Sequence, residues 1–114
     1  ANAETAGVDS GGGPSFLGLS IGLSQNRPNP FRAGTFINFG ISGDPGLRHT
    51  LLRVFDVSGR LVATLKDSNL NVGQHQAYWD GKLINSNREV TPGVYYAQLV
   101  VEGERYTLKM IAQK

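Results

Sequence analysis

A chain of 114 residues with no cysteine, a net charge of +2 and 39% hydrophobic residues has room for one core and no covalent staple to support it. This composition excludes thiolate metal and redox chemistry, and no apolar run approaches the ~18 residues of a membrane-spanning helix. Basic residues are spread singly from Arg27 to Lys114 rather than gathered in one stretch, which argues against nucleic acid as a partner.

Residues 1–15 are small, polar and glycine-rich, closing on Ser10-Gly11-Gly12-Gly13-Pro14. Such a segment has too little apolar surface to offset the entropy of ordering, so a flexible linker is predicted, and with it a further module upstream. It lacks the charged start and apolar centre of a signal peptide, so export is expected to be directed by the domain itself or by a segment outside these residues. Leu17, Leu19, Ile21 and Leu23 then alternate with small residues, the period of a half-buried strand. Gly18-Leu19-Ser20-Ile21-Gly22 has the form of a hydrolase nucleophile elbow, but that motif needs a sharp strand-to-helix turn. Here the alternation runs straight through it and no helical pattern follows, so a strand is expected.

Asn26, Pro28, Asn29 and Pro30 form a rigid corner, because each proline fixes its own φ and restricts the residue before it. Phe31 beside them is placed to plug the end of a core. Thr35, Ile37, Phe39 and Ile41 form the inward set of a second strand, with Phe36, Asn38 and Gly40 outward. Ser42-Gly43-Asp44-Pro45-Gly46 is a turn. Residues 51–65 read as a hairpin, Thr50, Leu52 and Val54 on one face and Leu51, Arg53 and Phe55 on the other. In its turn, Asp56 can accept from the backbone two residues on and Gly59 can take a positive φ. Arg60 stands outside, and Leu61, Val62 and Leu65 are the apolar anchors of the second strand. A further turn is predicted at residues 69–73. His75, Ala77 and Trp79 share a strand face that Asp80-Gly81 ends, and residues 82–92 form a polar loop. Gly93 opens a strand in which Tyr95, Ala97, Leu99 and Val101 alternate with Val94, Tyr96, Gln98 and Val100; with both faces apolar it is expected to be central. After a hairpin at Glu102-Gly103-Glu104, Tyr106, Leu108 and Met110 line a final strand. Seven short strands without helical periodicity predict an immunoglobulin-like antiparallel β-sandwich over residues 16–114.

Chemistry-bearing clusters are sparse. His49 and His75 lie in different segments with no third ligand at metal spacing, and Asp44, Asp56 and Asp80 are accounted for by turns, so neither metal nor cofactor is expected. Without a cysteine nucleophile, a carboxylate pair in recognisable context or a phosphate loop, no enzyme activity is expected. Trp79 and Tyr95 point inward as core residues. Phe55, Tyr78 and Tyr96 point outward, and on one sheet face they would form a sugar platform, so the alternative function is a carbohydrate-binding or accessory module of a secreted glycoside hydrolase.

Six stretches recur in a familiar order: Leu-Ser-Gln-Asn-Arg-Pro-Asn-Pro-Phe at 23–31, Val-Phe-Asp-Val-Ser-Gly-Arg-Leu-Val at 54–62, Gly-Gln-His at 73–75, Trp79-Asp80-Gly81, Gly93-Val94-Tyr95 and Lys109-Met110-Ile111. Over residues 17–114 the chain resembles two overlapping families. These are the type A C-terminal sorting domains of the type IX secretion system and the immunoglobulin-like domains related to the flagellar hook-capping protein. The resemblance implies a non-catalytic domain that directs outer-membrane secretion and cell-surface attachment of an upstream cargo. It implies the outer-membrane secretion machinery and a surface sortase-like protease as partners, with passage through the periplasm of a Gram-negative-type bacterium. A monomer is expected. Gly93 and Tyr95 match the family's late Gly-x-Tyr motif, and Lys109, Met110 and Lys114 its basic terminal strand; the cut would fall within residues 1–15. Lys109 on an edge strand would also discourage pairing between molecules.

Overall fold

The structure, a computed structural model, describes residues 19–114; the expected linker and its cut lie outside them, as do Leu17 and Gly18. Seven strands follow one another: β1 (Ser20–Leu23), β2 (Thr35–Ser42), β3 (Leu47–Asp56), β4 (Leu61–Asn71), β5 (Gly73–Trp79), β6 (Gly93–Val101) and β7 (Glu104–Ala112). They form an antiparallel three-stranded sheet, β1-β2-β5, and an antiparallel four-stranded sheet, β4-β3-β6-β7. This is the immunoglobulin-like β-sandwich that the spacing of short strands predicts. β6 lies between β3 and β7, the central position expected from its two apolar faces.

Period-two alternation decides which side chains enter the core. Along β2, Thr35, Ile37, Phe39 and Ile41 are buried while Phe36 and Asn38 are exposed. Thr50, Leu52 and Val54 of β3 are buried, as are Tyr95, Ala97, Leu99 and Val101 of β6. Trp79 of β5 joins the layers: its ring meets Phe31 at 5.2 Å and Tyr95 of the opposite sheet at 5.6 Å, both edge-on. Edge-to-face contacts align the positive ring rim with the negative face of the next ring, so the three aromatics lock the corner, the small sheet and the large sheet together. The indole N–H of Trp79 donates to Lys82 O at 3.2 Å, and the Tyr95 hydroxyl donates to Thr91 O at 2.6 Å, so both buried polar tips are satisfied.

Two sequence expectations are corrected. The hairpin is longer than residues 51–65, because β3 starts at Leu47 and its first residues present backbone groups that need partners. Asn69 and Asn71 supply them by pairing with His49 and Leu47, so the turn predicted over 69–73 shrinks to a bend at Val72, whose N–H donates to Gly46 O at 3.3 Å. Leu61 is an exposed residue rather than an anchor, since its register partner is the outward-facing Phe55 and bulges shift the β3–β4 pairing at Leu52/Arg53 and Val54/Phe55.

Candidate functional site

The last strand is held at its C-terminal end by a segment 80 or more residues away in sequence. The side-chain carbonyl of Asn29 accepts from the Ile111 N–H at 3.0 Å, Phe31 N–H donates to Ile111 O at 3.0 Å, and Gln113 N–H donates to Phe31 O at 2.8 Å. Gln25 adds a donor to Lys109 O at 3.2 Å. These bonds cap backbone groups that an edge strand would otherwise offer to another chain. The corner is rigid for reasons already visible in its residues. Buried Asn26 donates to the Thr35 hydroxyl at 3.0 Å and to Pro28 O at 3.2 Å, and Thr35 donates to the same carbonyl at 2.9 Å. The Asn-Arg-Pro-Asn-Pro-Phe motif is thus a latch on β7.

Strand register sets out the outer face of the large sheet as a grid. Phe55, Tyr96 and Lys109 form one row, and Arg53, Gln98 and Thr107 the next. Leu51, Val100 and Arg105 form the third. The Arg53 guanidinium lies 5.2 Å from the centre of the Phe55 ring, a cation–π contact that holds the charge on the sheet. Arg53 Nε is buried without a hydrogen-bond partner. β3, β6 and β7 contribute no carboxylate to this face, and Asp67 on β4 is engaged with His49 at 3.3 Å. With three cations, two aromatic rings and aliphatic side chains uncovered by any other described element, the face suits a partner with acidic and apolar groups.

At one end of the same sheet the β3–β4 turn is fixed by Asp56. Its carboxylate accepts from Ser58 Oγ at 2.7 Å, Ser58 N–H at 2.9 Å and Arg60 N–H at 3.0 Å, with the Arg60 guanidinium at 3.3 Å. The Ser58 hydroxyl first, then the Arg60 N–H, lower its pKa from the ordinary 3.8 to about 2. Gly59 takes the positive φ of 88° that the turn requires. Behind the turn, Val57, Leu61, Leu83 and Ile84 border an open cleft of about 840 Å³ that also reaches Gly93 and Tyr95.

The structure distributes the sequence-predicted residues between these places. Tyr95 and Met110 are register partners buried in the core beneath the terminal strand. Gly93 opens β6 with φ +150°, and Lys109 and Lys114 are exposed. Trp79 is core, Gly81 is buried against Phe31 and Ala33 with φ +76°, and Asp80 accepts from Lys82 N–H at 3.0 Å. The three aromatic platform candidates separate: Phe55 and Tyr96 sit side by side on the large sheet, while Tyr78 lies on the small one beside Phe36. The grouping of Arg105 and Gln98 with the grid's rings and cations escaped the sequence reading, because neighbours across strands follow from register and not from period. Among the described residues there is no group of three His, Cys, Asp or Glu placed to hold a metal ion.

No family model matches the chain, and no curated protein matches it. Among solved structures it is similar to dimeric latent PorU from Porphyromonas gingivalis, with a TM-score of 0.64 and 19% identity. The match covers 82% of this chain and 9% of that one, so this chain corresponds to a small part of PorU. At this identity the likeness is one of fold.

Proposed function

We propose that this chain is a non-catalytic sorting module. In this reading it directs an upstream cargo in the same polypeptide through the type IX secretion route to the cell surface, where a sortase-like protease cuts within residues 1–15. One observation carries the reading: the terminal strand is latched from outside by Gln25, Asn29 and Phe31, and it holds Lys109 on an uncovered cationic face. A signal read from a folded domain needs such a fixed, accessible strand. The ordered motifs of the sequence support the reading, since each has a definite place in the sandwich. The likeness to PorU bears on the reading at the level of fold alone. Recognition then proceeds through the outer face of β3, β6 and β7, the cations steering an acidic partner and Phe55 and Tyr96 supplying apolar contact.

The test is delivery of a fluorescent reporter carrying the full 114-residue chain at its C-terminus, targeted to the periplasm of a host with type IX secretion. Reporter with the domain is expected on the cell surface or in the medium, and reporter alone in the periplasm. Removing the last strand is a poor control, because it takes Met110 out of the core. Equal retention of both fusions in the periplasm contradicts the proposal.

A further inference from the structure

The outer face of the small sheet carries a second surface, independent of the sorting reading. Register places Phe36 opposite Tyr78, and Asn38 opposite Gln76. Gly40 lies between Gly22 and Gln74, and Ser42 faces Ser20. No side chain that β1, β2 and β5 turn outward is charged at neutral pH.

Three features of this face call for a ligand. Phe36 and Tyr78 are 46% and 52% exposed with ring centres 4.8 Å apart and planes at 52°, an aromatic corner open to solvent. Next to it the Gln76 side-chain N–H donates to Asn38 Oδ1 at 3.0 Å. That bond orients both amides and leaves Asn38 Nδ2 and Gln76 Oε1 free to donate and accept. Beyond the amides, two outward glycines stand side by side in strand interiors, which leaves the sheet backbone open to close approach from outside. Gln74 lies across Gly40, so near that a Cβ there would fall 2.7 Å from its Nε2, while the space above Gly22 is open to 4 Å. Gln74 thus covers Gly40, and the surface above Gly22, towards the paired serines, stays open.

We propose that this face binds a neutral polysaccharide chain. The apolar C–H face of a sugar ring rests on the electron-rich face of Tyr78, and its hydroxyls exchange hydrogen bonds with the amides of Asn38, Gln76 and Gln74. An amide matches a hydroxyl because each both donates and accepts. A phosphate, sulfate or carboxylate polymer needs cations, and the three strands offer none; Arg27, bridged to Phe36, borders the aromatic end. Phe55 and Tyr96, on the cationic sheet, take no part.

Affinity electrophoresis of the full chain tests this, in gels containing hydroxyethylcellulose, xyloglucan or glucomannan as neutral polymers and alginate as an acidic one. Retardation by at least one neutral polymer is expected, weakened about tenfold by Tyr78→Ala and less by Gln76→Ala. Gly22→Val is expected to keep the melting transition, since nothing lies within 4 Å of its new Cβ, and to lose retardation by filling the open surface beside the amides. Should Tyr78→Ala fail to fold, Gly22→Val decides. Arg105→Gln/Lys109→Gln is expected to bind as the parent does. Unretarded migration in all three neutral gels overturns the proposal, as does retardation that survives Gly22→Val or appears in alginate alone.

Discussion

The large sheet turns Arg53, Arg105 and Lys109 to solvent, while the small sheet turns out glycines, amides and one aromatic pair. Both faces stand on the same core and alternate by the same period, yet one suits an acidic partner and the other a neutral one. The difference teaches where this domain has freedom. Inward positions are constrained by packing density, so they carry little beyond size and shape. Outward positions are free, and register assembles them into surfaces with distinct chemistry.

The largest expected effect removes both faces together. Trp79→Ala takes away the ring that joins Phe31 to Tyr95 and is expected to cost roughly 3–5 kcal/mol in urea unfolding. Asn29→Ala acts on one side of the comparison. It frees the Ile111 N–H at the end of β7, with an expected loss of about 0.5–1.5 kcal/mol and faster amide exchange at Ile111, while exchange in β2 and β5 is unchanged. Gly22→Ala sharpens the other side: its backbone has no need of glycine and its Cβ has open space, so a gain of about 0.4–1 kcal/mol is expected. Gly34→Ala is expected to destabilise instead, because the new Cβ would lie 2.9 Å from Trp79 O and run into the Tyr78 ring.

Acid resolves the turn from both faces. Asp56 has its pKa lowered on folding, so its contribution is complete above the ordinary 3.8 and is lost as pH falls through about 2. Melting temperatures of the parent should drop across that window more steeply than those of Asp56→Asn, which has no charge to lose. Parallel slopes would mean that the turn carboxylate is not held by Ser58 and Arg60 as described.

Most of the fold was legible from period alone. The inward sets of β2, β3, β5 and β6 follow directly from alternation, and the Asp56–Gly59 turn from residues that accept backbone bonds or tolerate positive φ. Phe31 as a plug was legible too, since an aromatic after a double-proline corner has little else to pack on. The latch itself was not, because Asn29 and Ile111 are 82 residues apart and nothing local marks them as partners. Nor was the division of the aromatic residues. Phe55, Tyr78 and Tyr96 share outward parity, but parity does not say which strands join in one sheet. Phe36 shows the same limit: its outward position was readable, its pairing with Tyr78 was not.

The most direct measurement places the same charge change on each face in turn. Reporter fusions carrying Arg105→Glu/Lys109→Glu are compared in the export assay with fusions carrying Gln74→Glu/Gln76→Glu. All four substituted side chains are exposed, so each pair should shift stability by no more than about 0.5 kcal/mol per site, which a melt of each domain verifies. Recognition through the large sheet predicts that the first pair stops surface delivery and the second leaves it intact. Normal delivery of the folded Arg105→Glu/Lys109→Glu fusion would contradict it.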